Sequence, residues 1–226
     1  MKRLFTLIMI MTMAETAAFA QSATEPQRWE FGGILGPQLS FVVPRQEGEK
    51  PVKGIVAGLN VGYRFQDAVK GLSVHLQPYF AGSRSKGTSG AENTNFYLTL
   101  KSKLRSVNAP LLVRYTFSNG KIRPFAELGA HFMVTSRASY KISGLMCPEG
   151  VPCEPISEEK RNQKTGGPHV TALASAGVQI DAGKVTIPIT IRLIENLNKF
   201  ETYNIGGTDY KFPKARVLQL TAGVTF

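Results

Sequence analysis

Apolar and polar side chains alternate along most of this chain with a period of two, the mark of a strand whose two faces meet different surroundings. From Trp29 to Phe41 the odd positions carry Trp29, Phe31, Gly33, Leu35, Pro37, Leu39 and Phe41, while the even ones include Glu30, Gln38 and Ser40. From Ile55 to Phe65 the apolar set includes Leu59, Val61, Tyr63 and Phe65, against Asn60 and Arg64. Six more runs follow, over 72–80, 107–117, 122–134, 170–180, 185–193 and 218–226. Each places Val, Ile, Leu or Phe on one side and Gly, Ser, Thr, Gln, Arg or His on the other. Eight runs of about ten residues suit tilted strands crossing a bilayer, and the even count suits a closed barrel.

The connections between runs alternate in length. Residues 43–53, 82–103, 137–168 and 195–215 are long and polar, whereas 66–70, 118–121 and 181–184 are tight turns rich in Gly, Asp, Asn or Ser. Outer-membrane barrels have short periplasmic turns and long extracellular loops. The fold class expected is therefore all-β: a closed, eight-stranded, antiparallel up-and-down transmembrane barrel with that arrangement of turns and loops. A soluble barrel also alternates, with its apolar face turned inward. Two features oppose it. The polar face lacks the Lys and Glu density of a solvated surface, and Trp29, Tyr63, Phe65, Tyr115 and Phe117 cluster on the apolar face beside the short turns. With Phe226 at the end of the last run, they make a candidate membrane aromatic girdle. Pro37, Pro78, Pro110, Pro124 and Pro188 fall inside the runs and mark expected bulges or strand ends, because proline lacks a ladder donor. Phe96, Leu98, Leu100 and Leu104 stand in the opposite register from Val107 onward, so a bulge or an outward extension of the hairpin is expected there.

The N-terminal residues point to the same compartment. Lys2 and Arg3 precede an apolar run from Leu4 to Met13, and Ala18-Phe19-Ala20 provides small residues for cleavage before Gln21. This is the pattern of a secretory signal peptide over residues 1–20, cleaved near Ala20, with residues 21–226 forming the barrel domain. The localisation expected is the outer membrane of a Gram-negative bacterium.

Charge narrows the partners. The formal net charge is +11, and the four long connections hold 15 Lys or Arg against 10 Asp or Glu. For an exported chain the natural counter-charge is lipopolysaccharide phosphate rather than nucleic acid. The partners expected are outer-membrane lipids including lipopolysaccharide, the outer-membrane assembly machinery during biogenesis, and a protein bound through the outer loops. Cys147 and Cys153, in the segment CPEGVPC, are expected to form a disulfide in an oxidising compartment.

The inward positions of the alternation include Glu30, Arg64, Arg114, Arg123, Glu127 and Arg192. A barrel this narrow is filled by side chains, and opposite charges inside it should pair. The expectation is a salt-bridged plug centred on Glu127 with Arg64 and Arg114; a narrow ion path or a proton-sensing His75 or His131 is its rival. No catalytic residue, cofactor or metal ligand is assigned. The histidines read His75-Leu-Gln, His131-Phe-Met and His169-Val-Thr, none with the His-x-Ser spacing of barrel lipid deacylases; His169 with Thr171 comes nearest.

The segment Asn108-Ala-Pro-Leu-Leu-Val-Arg-Tyr-Thr-Phe117, with Ile122-Arg-Pro-Phe-Ala-Glu-Leu-Gly-Ala130 after a short turn, resembles the central hairpin of the PorT-like outer-membrane β-barrel family. That family is similar in architecture to the small OmpA and OmpX barrels, and a few members assist protein secretion or cell-surface processes. The resemblance implies a fold over essentially the whole mature chain and carries over no catalytic residue. The function expected is a non-enzymatic barrel with a plugged lumen, supporting envelope integrity or surface adhesion through long basic loops. The alternatives are an accessory part of a secretion or assembly complex, a small pore, and a lipid A-modifying enzyme.

Overall fold

A computed structural model describes residues 28–43, 50–66, 68–90, 96–146, 154–166, 169–195, 202–205, 208–211 and 214–226. The expected signal peptide and both cysteines lie outside these residues. Among the described residues there are thirteen strands: β1 (Trp29–Val43), β2 (Val52–Arg64), β3 (Gly71–Leu76), β4 (Tyr79–Gly90), β5 (Phe96–Asn108), β6 (Leu111–Thr116), β7 (Ile122–Met146), β8 (Glu154–Gly166), β9 (His169–Asp181), β10 (Thr186–Glu195), β11 (Thr202–Ile205), β12 (Thr208–Lys211) and β13 (Lys214–Thr225).

Antiparallel pairing runs around a ring of eight staves: β1, β2, β3 with β4, β5 with β6, β7, β9, β10 and β13. The ring closes because β1 pairs with β2 on one side, as in Phe31 opposite Val61, and with β13 on the other, as in Gly33 opposite Val224. At that seam the Phe226 amide donates to the Phe31 carbonyl at 2.9 Å, and the Phe31 amide donates back at 3.3 Å. Within the ring, closure leaves no open sheet edge, as hydrocarbon demands of a spanning sheet.

The faces are inverted relative to a water-soluble protein. Leu35, Ile55, Leu59, Leu128 and Ile191 are exposed on the outside, Leu128 to 67%. Arg114, Glu127, Arg192, His75 and Gln219 are buried within. In β6, and from Pro188 to Ile194 of β10, exposed and buried positions alternate strictly. An apolar exterior around a polar, packed interior suits lipid outside and side chains filling a narrow barrel.

Several strand limits differ from those expected. The run 72–80 divides into β3 and β4 at Gln77-Pro78, and 107–117 into β5 and β6 at Ala109-Pro110. The backbone stays satisfied across both breaks: Leu59 donates to the Pro78 carbonyl, Gln77 to Pro110, and Ala109 to Phe132. Pro37, Pro124 and Pro188 instead lie inside strands. The β1–β13 ladder skips from Leu35–Ala222 to Gln38–Gln219 around Pro37, and the β10–β13 ladder skips from Thr186–Thr225 to Ile189–Ala222 around Pro188. A missing donor thus interrupts one ladder without ending the strand.

The connections 82–103 and 137–168, read as long loops, are largely strand. β4 and β5 pair continuously from Tyr79–Asn108 to Gly90–Tyr97, and the outer half of β7 pairs with both β5 and β8. These hairpins continue the barrel wall beyond its apolar belt. Leu100 and Leu104 therefore face away from Val107 because they line the other side of an extended hairpin. The irregularity lies in β7, where Val107 pairs with Thr135 and Asn108 with Met133.

The sealed lumen as candidate functional site

Inward-pointing side chains from three other staves converge on Glu127 of β7. Arg114, its direct neighbour on β6, donates through Nε (2.8 Å) and Nη2 (2.6 Å) to Glu127 Oε1. Ser175 of β9 donates to Glu127 Oε2, and Arg192 Nη2 of β10 lies 3.6 Å from the same oxygen. The Arg114 guanidinium also sits 4.3 Å over the inward ring of Phe125. One carboxylate thus lies between two guanidiniums with both its oxygens engaged, while Arg114 Nη1 and Arg192 Nε and Nη1 are buried without a hydrogen-bond partner among the described residues.

Arg192 links this cluster to a second chain of contacts. It donates to Gln77 Oε1; Gln77 Nε2 donates to Asn60 Oδ1 at 2.8 Å, and His75 Nδ1 lies 3.1 Å from the same oxygen. Asn60 Oδ1 only accepts, so the His75 proton facing it sits on Nδ1. Ser73 Oγ is 2.9 Å from His75 Nε2. Ser73, His75 and Asn60 thus stand in the order of a hydroxyl–imidazole–amide relay, but all three are buried. A Cβ placed on Gly62 would lie 2.6 Å from His75 Cε1, so the ring is packed against backbone. The arrangement braces β2 against β3 inside the lumen.

Farther toward the hairpin end, Tyr79 OH and His131 Nε2 are 2.7 Å apart. His131 Nδ1 is 3.1 Å from Thr171 Oγ1, so Thr171 engages His131, not the nearby His169 suggested by spacing. Gln219 Nε2 donates to Tyr79 OH at 3.2 Å and to Gln38 Oε1 at 3.3 Å. Apolar plugs complete the filling: Ile34, Val56, Tyr79 and Ala81 in one cluster, Leu112, Leu173 and Ile194 in another.

The expected grouping of charges needs correction. Arg64 does not join Glu127; its Nε lies 3.2 Å from Glu30, near the short-turn end. Arg192 takes its place. Arg123 forms a third group, donating to Asp181 Oδ2 at 3.1 Å and Thr186 Oγ1 at 3.0 Å. The sequence reading missed Asp181, treating it as a turn residue; its place beside a short turn, at the same barrel end as Arg123, was the available signal. Parity along a strand sets the inward face, but the stagger between strands decides which charges share a level.

The aromatic residues lie where the alternation put them, on the outer surface near the short turns. Trp29, Phe65, Tyr115, Phe117 and Phe226 are exposed and Tyr63 is half-buried. Trp29 meets Tyr63 edge-on with centroids 5.0 Å apart, Tyr63 meets Phe65 at 5.7 Å, and Tyr115 meets Phe117 at 5.1 Å. Among the described residues no group of three or more His, Cys, Asp or Glu is placed to hold a metal ion.

Several solved structures resemble this chain at low identity. The crystal structure of Neisserial surface protein A shares 15% identity and a TM-score of 0.48, over 88% of this chain and 96% of that one. The attachment invasion locus protein of Yersinia pestis, Ail, solved with the heparin analogue sucrose octasulfate, gives 16%, 0.41, 88% and 100% in the same order. The N-terminal barrel domain of Pseudomonas aeruginosa OprF gives 13%, 0.37, 88% and 98%. No curated protein matches the chain. The family model described as "Outer membrane protein beta-barrel domain" matches residues 19–224, and the chain belongs to that family.

Proposed function

We propose that this protein is a non-enzymatic barrel of the Gram-negative outer membrane, closed to conduction, that supports envelope integrity or surface contact through its hairpin end. The observation that carries this reading is the filled interior. Glu127, Arg114, Arg192 and His75 are each at most 2% exposed, and side-chain bonds running through Gln77 and Asn60 link them across the lumen. A fixed ion cluster with packed apolar plugs leaves the extended hairpins as the part free to meet other molecules. Planar-bilayer recording of the refolded barrel tests it: the expected record is a flat baseline, and steady single-channel steps would overturn the plug. Unaltered lipid A in a deletion strain is expected of a non-enzymatic barrel; a changed acylation pattern would reinstate the lipid-modifying alternative.

Membership of the PorT-like group, and with it a role as accessory component of a secretion or assembly complex, is a second reading. It draws on Leu100 and Leu104, which are 46% and 45% exposed on the hairpin face opposite Lys101 and Lys103. Apolar side chains beyond the membrane belt suit a protein partner. Stoichiometric co-purification of another envelope protein would favour this reading; a solitary barrel would count against it. The Cys147–Cys153 disulfide belongs to the same proposal. Met146 pairs with Glu154 at the ends of β7 and β8, and the two cysteines are the next residues inward in sequence. Thiol alkylation of the native protein should label neither cysteine until a reductant is added.

A further inference from the structure

The outward face of the extended hairpins carries cations in register. Phe80 and Val107 are exposed neighbours on the outer surface, and period-two alternation carries that face upward along both strands. Immediately above, Arg105 stands opposite Arg137, which stands opposite Lys164. In the next row Arg84 faces Lys103. In the row beyond, Lys86 faces Lys101, and Lys101 faces Lys141. All eight are exposed.

Like charges directly opposite across a sheet are destabilising. Three successive rows of them have no explanation within the fold. Among the described residues none of the eight makes a salt bridge. The one carboxylate those residues place in the rows is Glu159, opposite Lys141, and it is engaged by Arg161 at 2.6 Å. That hydrogen bond first, then the charges of Arg161, Lys141 and Lys103, holds the Glu159 carboxyl below the usual carboxylate range. The surface is short of anions even where it holds one.

Its height along the barrel identifies the missing counter-charge. The stretch from Val107 down to Phe117, at the aromatic end, matches the ~9–11 residues that cross a bilayer as a tilted strand. Arg105 therefore begins at the upper limit of the hydrocarbon, on the side facing lipid. Phosphate groups of an outer-leaflet glycolipid occupy that level, and Arg and Lys bind phosphate by charge-assisted hydrogen bonds.

We infer that the outward faces of β4, β5, β7 and β8 form a docking lattice for the phosphates of lipid A in the outer leaflet. The inference rests on the outer-membrane placement with hairpins outward and is independent of the plugged lumen. The lysines and arginines would stand in for the divalent cations that otherwise bridge neighbouring phosphates, so binding should survive a chelator and weaken in high salt.

The test reconstitutes the full barrel in vesicles containing bis-phosphorylated lipid A or its dephosphorylated form, then counts lipid A retained after detergent washing. Three proteins are compared: the native barrel, the Lys86→Gln/Lys101→Gln/Lys141→Gln variant with Arg105→Gln/Arg137→Gln, and a short-turn control, Lys70→Gln/Lys121→Gln/Lys184→Gln. Resistance of each barrel to unheated SDS establishes folding. The native and control proteins should retain phosphorylated lipid A, with or without EDTA, at least fivefold better than the dephosphorylated form; the lattice variant should lose that preference. Retention indifferent to phosphate, or lost equally in the control, overturns the inference. So does equal capture of a soluble sulfated polysaccharide with no preference for lipid A, which would assign the lattice to a polyanion in solution. A barrel that conducts yet retains lipid A would overturn the plug and leave the lattice standing; a silent barrel indifferent to phosphate would do the reverse.

Discussion

Glu127 sits between two arginines in the buried interior of the barrel. Glu127→Gln leaves Arg114 and Arg192 facing each other's charge with one neutral oxygen between them. Breaking a buried ion cluster by removing one member costs about 3–5 kcal/mol, so the variant should unfold at markedly lower urea concentration in the same detergent. Gly62 makes a second prediction. A methyl there meets the His75 ring at 2.6 Å, whereas at Gly87 nothing lies within 4 Å. Gly62→Ala should lower the thermal midpoint, and Gly87→Ala should leave it within error. The inward parity of Arg64, Arg114, Glu127 and Arg192 was legible in the sequence, since every second residue shares a face. The division of those charges was not. Arg192 is sixty-five residues from Glu127, and only the stagger of β7, β9 and β10 brings them to one level. The Ser73–His75–Asn60 strut was equally invisible, because Asn60 and His75 sit on neighbouring strands whose register depends on the 66–70 turn.

The strands in the membrane were readable because lipid and lumen enforce opposite chemistries on alternate residues. Beyond the apolar belt both faces meet water or headgroups, and that contrast fades. Residues 82–90 carry Ser, Thr, Gly, Arg and Lys with no apolar face, so their composition resembles a loop although their pairing is regular. Cross-strand bonds such as Ser85 Oγ to Ser102 Oγ at 2.6 Å hold the extension in register. Since the closed ring below has its own complete ladders, the extension should be dispensable for folding. Replacing residues 86–101 by a two-residue turn should leave the gel shift between unheated and heated samples intact while removing one row of the cation lattice. Loss of the shift would mean that the hairpin helps to build the barrel.

At the scale of the whole molecule, the inverted distribution of side chains makes an opposite-sign prediction from that of a soluble protein. Leu128 lies near mid-height on the outer face. Leu128→Arg would be tolerated on a water-facing surface; here it should cost about 2–4 kcal/mol at the bilayer midplane, measured by reversible unfolding in lipid vesicles. A change below ~0.5 kcal/mol, the size usual for exposed substitutions in water, would contradict a lipid-facing exterior. Fold class, strand parity and the aromatic end were legible from the chain because they depend on local periodicity. The breaks at Gln77-Pro78 and Ala109-Pro110 were not, since a proline announces a lost donor but not which neighbouring carbonyl is left to find another.

The seam between β1 and β13 has a consequence for biogenesis. It joins segments nearly two hundred residues apart, so the cylinder cannot be completed hairpin by hairpin as the polypeptide emerges. A sheet lacking its final staves would carry two raw margins and a wall of Leu, Ile and Phe, a state in which aggregation competes with closure. The demand that closure places on assembly is set by the distance in sequence between Phe31 and Phe226.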